Sequence, residues 1–269
     1  MIGFNYLGKL GQLGNQMFQY SSLKGIANQN GYNYCIPNHN EIFEDGLGNR
    51  LHIELFKPFV LENFSDLNVQ LIDGDRPVVQ EGSFHFNEEL FNNCPDWVCL
   101  HGFFQTEKYF KNIEQEIRED FRFNDDILIP CQEMMSDFNE PPVSLHIRRG
   151  DFLINSANHH NLGLDYYEKA LEEFPMEIPV LIFSDDPEWC SKQELFADDR
   201  FLVAEGNSPY VDMCLMSLCE GHIIANSSFS WWGAWLANSQ KVVAPSIWFG
   251  PNNAHLDIKD LYLDHWEVV

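Results

Sequence analysis

The chain has 269 residues, 45% hydrophobic and 14% aromatic, enough to bury one large core or two smaller ones. Its 41 acidic and 16 basic residues give a formal net charge of −25, a field that repels nucleic acid and anionic membrane surfaces. No stretch reaches the roughly 18 uncharged apolar residues of a membrane span, and the start, MIGFNYLGKLG, lacks the pattern of an export signal, so neither span nor export is expected.

The first 30 residues read as strand, glycine loop and helix. Ile2, Phe4 and Tyr6 are followed by Gly8, Gly11 and Gly14 and then by MFQYSSLKGIANQNG. The loop is neither a Walker loop nor the GxGxxG pattern. A tight strand-to-helix turn explains the glycines better than a ligand does. Asn15 and Gln16 either cap the helix or aim amides at a ligand. Between residues 38 and 99, LHIELFKPFVL and RPVVQEGSFHF look strand-like between acidic turns, and Asp73-Gly74-Asp75 matches the DxD pattern of metal-dependent glycosyltransferases. In so acidic a chain DGDRP reads as a turn, and no metal is expected. LHGFFQTEKYF runs into a helix with Ile113, Ile117 and Phe121 on its apolar positions. The boundary between two halves, 1–140 and 141–269, is placed in the turn-rich segment from Asn124 to Pro142.

In VSLHIRRGDF, Val143, Leu145 and Ile147 alternate with Ser144, His146 and Arg148 at the period of a strand. Arg148 and Arg149 then stand at the strand's carboxyl end, the edge where open α/β sheets bind ligands. A guanidinium fork matches phosphate oxygens, so the pair reads either as an anion clamp or as one ion pair with Asp151. In a chain of this charge, a phosphorylated ligand needs such a local positive site. A helix from Leu164 to Phe174 follows, then a strand from Val180 to Phe183 and Ser184-Asp185-Asp186-Pro187. The two acids either cap the next helix or accept bonds from ribose or guanine. After FLVAE and a helix ending at Gly221, HIIANSSFSWWGAWL gives a strand from His222 to Ala225 and a helix beginning at Ser227. Ser227 and Ser228 either cap that helix or join its N–H groups in a phosphate site. Phe229 could lie against a flat base, and at least two of Trp231, Trp232 and Trp235 are expected in the core. KVVAPSIWFGP supplies a last strand. The seven cysteines are odd in number and never spaced CxxC, as for reduced thiols in a cytoplasm.

Four strand–helix units after residue 143 predict a parallel, doubly wound sheet, and the N-terminal strand–loop–helix predicts a second sheet of related type. Two such sheets facing across a cleft would bring Gly11 to Asn15 opposite Arg148 and Ser227.

Five segments stand in an order that resembles the α-1,2-fucosyltransferases of glycosyltransferase family 11: GQLGNQMFQY, GFFQTEKYF, HIRRGD, FSDD and IIANSSFSWWGAWL. They span nearly the whole chain, which is similar to bacterial or viral types without the anchor and stem of animal members. The resemblance implies a GT-B-like fold with an acceptor-side first half and a GDP-sugar-binding second half. It also implies inverting, metal-free transfer of L-fucose from GDP-β-L-fucose to the 2-hydroxyl of a terminal β-galactoside on a glycan acceptor, with no cofactor. By the same resemblance Arg148 matches the arginine on the β-phosphate, with His146 and Arg149 in its motif. Ser227 and Ser228 match hydroxyls at the diphosphate, Phe229 a residue beside guanine, and Asp185 or Asp186 the acid near the nucleoside. Gly14 and Asn15 match the loop at the fucose and leaving group. Position 12 is Gln where several members carry Arg or Gly. Asp151 is the nearest candidate for a base, or it holds an arginine. The competing readings are a carbohydrate-binding protein without catalysis and a transferase of another nucleotide sugar.

Overall fold

The computed structural model describes residues 1–44 and 50–269. The chain forms two compact units, Met1–Asn124 with Asp257–Leu261, and Asp125–Leu256 with Tyr262–Val269. The division thus falls at Asn124, earlier than the expected 140/141. The reason is that Asp125 to Met135, read as turn-rich, is a helix whose buried Cys131 bonds the Val211 carbonyl of the second unit. Pro130 lies inside this helix, which is why the sequence did not read as one. Residues 257–261 return to the first unit, where Asp260 accepts from Phe86 N at 3.1 Å and from Lys108 Nζ at 2.5 Å.

The first unit runs β1 (Ile2–Gly3), α1 (Leu13–Asn30), β2 (Tyr34–Cys35), β3 (Phe43–Glu44), β4 (Arg50–Leu51), β5 (Val78–Gln80), α2 (Glu88–Asn93), β6 (Val98–His101) and α3 (Glu114–Asp120). Four of these strands form a sheet in the order β2-β1-β6-β5, parallel throughout. β3 and β4 pair separately and antiparallel. The expected strand over residues 51–61 stops at Leu51, because turns close from Lys57 N to the Glu54 carbonyl and from Phe59 N to that of Leu55. Pro58 follows the first turn, and Leu61 has φ 49°.

Helix α1 is buried from Leu13 to Ala27 except at Asn15. That stretch includes Gln16, Gln19 and Lys24, so each polar group needs an internal partner. Lys24 Nζ is ion-paired with the fully buried Asp120 of α3. Asp120 also accepts from Tyr20 Oη at 3.0 Å and from Asn63 N at 2.8 Å. A Cβ at Gly25 would fall 1.9 Å from the Tyr109 carbonyl oxygen, so glycine there permits backbone contact with the segment after β6.

The second unit runs α4 (Asp125–Met135), β7 (Val143–Ile147), α5 (Gly150–Ile154), α6 (Leu164–Leu171), β8 (Val180–Ser184), α7 (Pro187–Cys190), β9 (Phe201–Val203), α8 (Pro209–Ser217), β10 (Gly221–Ile223), α9 (Ser228–Ala237), β11 (Lys241–Ala244) and β12 (Glu267–Val268). Its sheet has six strands in the order β12-β11-β10-β7-β8-β9, all parallel, as the alternation of strands and helices predicts. Val143, Leu145 and Ile147 pack with Tyr166, Tyr167 and Ile182 on one face. Trp231, Trp232 and Trp235 of α9 are all buried, and Trp231 lies 5.5 Å from the Trp266 ring.

Each sheet has one place where the chain order reverses. From β7 the chain goes to β8 and β9 on one side, then returns to β10 on the other; from β1 it goes to β2, and later to β6 on the opposite side. Ligands bind at the carboxyl ends of strands beside such switch points. The expected sites therefore follow β7 and β10 in one unit, and β1 and β6 in the other.

Replacing Asp120 with Ala would leave the Lys24 ammonium buried without its partner. Urea unfolding of D120A is expected to show a loss of about 3–5 kcal/mol.

Candidate functional site

Strand β7 is buried at every residue, and its alternation sends Ser144 and His146 to the face opposite the aliphatic core. Ser144 Oγ bonds His222 Nδ1 of β10 at 2.7 Å. His146 Nδ1 bonds Ser230 Oγ of α9 at 2.9 Å, and its ring lies 5.7 Å from that of Phe229. Burial first, and then Arg148, push the His146 imidazole down to about 3. His146 is therefore a neutral, buried residue that ties β7 to the first turn of α9.

One residue further on, Arg148 is half-buried and held by two carboxylates. Nη2 meets Asp151 Oδ1 at 2.6 Å, and Nη1 meets Asp185 Oδ2 at 3.0 Å. The ion-pair reading of this arginine is thus met, and by two acids rather than one, which fix the plane of the guanidinium at the strand end. Asp185 reaches it because residue 150 is glycine, where a Cβ would lie 2.5 Å from Asp185 Oδ2.

Arg149 points elsewhere. Its backbone N donates to Asp185 Oδ1 at 2.8 Å, its Nε to Asp186 Oδ2 at 3.0 Å, and its guanidinium stacks 3.8 Å from the Trp189 ring. Asp186 is the N-cap of α7, accepting from Trp189 N at 3.2 Å. These two acids thus bind the end of β7 to the end of β8. Trp189 stands three residues after Asp186, the spacing that puts both on one side of a short helix, and that spacing is the signal by which the sequence could have shown it.

Across the switch point, Asn226 follows β10. Its Nδ2 donates to the carbonyls of His160 at 2.8 Å and Trp248 at 2.9 Å, drawing two long connections onto the strand end. Ser227 is the N-cap of α9, its Oγ accepting from Phe229 N at 3.3 Å. Ser227, Ser228 and Phe229 are only partly buried, so the positive end of the α9 dipole meets the surface there. Capping and anion binding remain compatible at this turn, since one hydroxyl satisfies one of several terminal N–H groups. Arg148 and Asp151 follow β7 and Ser227, Ser228 and Phe229 follow β10, the two strands that flank the switch point, while Asp185 reaches Arg148 from the end of the neighbouring β8; His146 links β7 to α9 through Ser230.

In the first unit, Gly14 lies inside α1, which begins at Leu13 behind the N-cap Gln12; that cap makes no side-chain bond. Neither Asn15 nor Gln16 caps the helix. Gln16 Nε2 donates to the carbonyls of Gly11 and His52, and its Oε1 accepts from Glu54 N. Gln19 Nε2 donates to the carbonyls of Leu10 at 3.0 Å and Gly102 at 3.1 Å. Asn15 Oδ1 accepts from Gln105 Nε2 at 2.7 Å. The loop after β1 and the turn after β6 are thus one connected structure. Gln19 and Gln105 were legible only as members of quoted motifs, because their partners are carbonyls and amides on distant segments.

Asp73 and Asp75 form an exposed turn in which Asp75 N donates to Asp73 Oδ1 at 3.1 Å and Arg76 N to the Asp73 carbonyl at 2.9 Å. Among the described residues no group of three or more His, Cys, Asp or Glu is gathered to hold a metal ion, and no helix is long and apolar enough to cross a membrane.

Ser230→Ala would leave His146 Nδ1 buried without a partner, at a cost of about 1–3 kcal/mol, read as a lower urea midpoint. His146 and His222 are each pushed to about 3, chiefly by burial, whereas the unfolded chain binds their protons near 6.5. Their contribution to stability is therefore lost as pH falls from about 6.5 toward 3. The urea midpoint should decline across that window, and less so in His222→Asn.

The family model for glycosyl transferase family 11 matches residues 2–269. The α-1,2-colitosyltransferase of Escherichia coli is 33% identical over 89% of this chain and 90% of its own length. The O-antigen biosynthesis glycosyltransferase WbnK of Escherichia coli is 36% identical over 66% of this chain. Galactoside α-(1,2)-fucosyltransferase 1 of Sus scrofa is 26% identical over 86%. The matched regions span 64% and 65% of the lengths of the latter two. Among solved structures, POFUT1 in complex with GDP-fucose aligns with a TM-score of 0.53 at 12% identity, covering 90% of this chain and 96% of that one. NodZ α-1,6-fucosyltransferase soaked with GDP-fucose aligns at 0.50 and 15% identity, covering 91% and 94%. These two share the fold, an α/β architecture of parallel sheets that is GT-B-like. On the match over its whole length, the chain belongs to glycosyltransferase family 11.

Proposed function

We propose that this protein transfers L-fucose from GDP-β-L-fucose to the 2-hydroxyl of a terminal β-galactoside on a glycan acceptor, with inversion at the anomeric carbon and without a metal ion. The observation that carries the reading is Arg148, fixed by Asp151 and Asp185 at the end of β7, on the other side of the switch point from the N-terminus of α9. The names of the sequence relatives, a galactoside α-(1,2)-fucosyltransferase and an α-1,2-colitosyltransferase, agree with the linkage.

In this reading the bond from the anomeric carbon to the β-phosphate oxygen breaks and a bond to the acceptor oxygen forms on the opposite face. The acceptor proton is released and GDP leaves. Negative charge grows on the β-phosphate as the sugar becomes oxocarbenium-like. Donors fixed before the reaction stabilise that charge more in the transition state than in the ground state. Arg148 and the α9 turn at Ser227 and Ser228 supply those donors in place of a divalent cation. Phe229 is assigned to the guanine face. Asp185 and Asp186 act through the two arginines they hold, and Asp151 orients Arg148 while remaining exposed enough to accept a proton. Gly14 and Asn15 of the first unit are assigned to the fucose and leaving group, and Arg149 braces the loop; the rest of the first unit is assigned to the acceptor and the second unit to the GDP moiety. The seven cysteines, all unpaired and buried, fit work in a reducing cytoplasm.

A second reading keeps the site and changes the sugar, because the relative matched over most of both chains is named for colitose. Calorimetric titration of GDP, GDP-fucose and UDP in EDTA-containing buffer tests the donor, followed by transfer assays with fucose and colitose donors. Metal-free binding of the guanine nucleotides alone is expected, and Arg148→Ala should lower transfer by about 10²–10³-fold. Preference for UDP, or full activity in R148A, would overturn the assignment. Better turnover of the colitose donor would select the second reading.

A further inference from the structure

Glu81 lies in the segment RPVVQEGSFHF but in none of the five segments that carry the family resemblance, and it sits at the carboxyl end of β5, in the sheet whose β1 leads into the glycine loop. It is half-buried, and no ion pair to it is found among the described residues. A carboxylate drawn out of water without a cation is expensive unless hydrogen bonds compensate it. Here two peptide N–H groups do so: Phe103 N donates to Oε2 at 2.7 Å and Phe104 N to Oε1 at 2.9 Å. Glu81 N in turn donates to the His101 carbonyl at 2.8 Å, which fixes the carboxylate beside the end of β6.

The backbone it grips is unusual. Gly102 has φ 155° and Phe104 has φ 53°, a conformation a bulky residue adopts only under constraint. A Cβ at Gly102 would lie 2.4 Å from Glu81 Cβ and 2.6 Å from Oε2, so glycine at 102 and glutamate at 81 fit one another. The turn is anchored on its other side by α1, through Gln19 to the Gly102 carbonyl and Ser22 Oγ to the Phe104 carbonyl at 3.3 Å. Its next residue, Gln105, donates to Asn15 Oδ1. That bond orients the Asn15 amide, whose Nδ2 lies over Gly11, where a Cβ would be 2.2 Å away.

We propose that Glu81 is a positioning residue for the transfer: its carboxylate holds the turn at residues 102–106 so that Gln105 fixes the amide of Asn15 in the glycine loop. The inference rests on the function proposed above, in which Asn15 serves the reacting end of the donor. It makes the loop's geometry depend on the charge of one half-buried acid. Burial raises the Glu81 carboxyl to about 7 against the two N–H groups that lower it. The titratable groups around it are His101, ahead of Gly102, and the Tyr109 phenol, itself pushed up to about 12 by burial and by Glu81 and Asp260. Protonation of Glu81 replaces an acceptor by a donor opposite a peptide N–H and so loosens the turn.

The test compares the full chain with Glu81→Gln and Gln105→Ala. It measures kcat and KM for GDP-fucose from pH 5.5 to 8.5, and amide hydrogen exchange over residues 100–107. In the wild type, kcat should fall on the acid side with a midpoint near 7. Glu81→Gln has one acceptor oxygen where the carboxylate has two. At pH 8 it should lose about 10²-fold in kcat, the size expected for a misplaced reacting group. It should also lack the acid limb and exchange faster at Phe103 and Phe104. Gln105→Ala should lose kcat but keep both the acid limb and slow exchange, which separates orientation of Asn15 from folding of the turn. An active wild type with unchanged kcat and acid limb in E81Q would overturn the role of Glu81 alone. If E81Q does not fold, undiminished kcat in Q105A would overturn it. A wild type inactive with every fucosyl acceptor would instead defeat the proposed function itself.

Discussion

Holding a cation still at a strand end is the central constraint on the second unit, because in a chain of net charge −25 Arg148 stands between two carboxylates, and any anionic ligand, as in the proposed function, would be repelled at long range. Arg148 meets the constraint by being immobilised rather than isolated. Its two carboxylate partners cancel part of its charge, but they hold the guanidinium plane at the strand end, and a fixed donor needs no reorganisation when charge develops before it. The parallel sheet makes this possible. Five of its strand ends, those of β7, β8, β9, β10 and β11, deliver loops to one edge, and the reversal between β7 and β10 leaves room beside Arg148 for the first turn of α9.

Two arginines adjacent in sequence have different work. Arg148 lies in the direction of the strand's polar face, which His146 also shares. Arg149 turns to the opposite side, stacks on Trp189 and pairs with Asp186. Cation–π contact and a charge-assisted bond together make it a brace for the loop. Asp185 is the link between them, since it accepts from the backbone of Arg149 and pairs with the side chain of Arg148. The acids in FSDD are thus part of the arginine geometry before they are anything else.

The first unit solves a different problem, that of ordering a glycine loop with few apolar side chains of its own. Glutamines on α1 reach out to loop carbonyls, and the turn after β6 is held from both sides, by α1 and by Glu81. Below this, the pair Lys24–Asp120 locks α1 to α3, so the helix that orders the loop is itself fixed by a buried ion pair. Breaking such a pair costs far more than forming it gains, which makes α1 a rigid base for the loop it carries.

Strand alternation in VSLHIRRGDF, the cap signals at Asp186-Pro187 and Ser227, and the strand–helix rhythm after residue 143 were all local, and local patterns of spacing sufficed to predict the parallel sheet and the strand end bearing Arg148. The sequence by itself determined those elements because hydrophobic period and capping act within a few residues. The partners of Arg149, the neutral burial of His146, the role of Asn226, and the connections among Glu81, Gln105 and Asn15 were decided only by tertiary structure. Each joins groups 22 to 90 residues apart, such as Glu81 with Phe103 and Asn15 with Gln105. The helix over Asp125–Met135 was hidden for a related reason: its proline argues locally against a helix, and packing of Cys131 on the second unit outweighs that argument. Charge and pattern choose what a segment is, whereas buried polar groups choose partners only when the fold has removed water from around them.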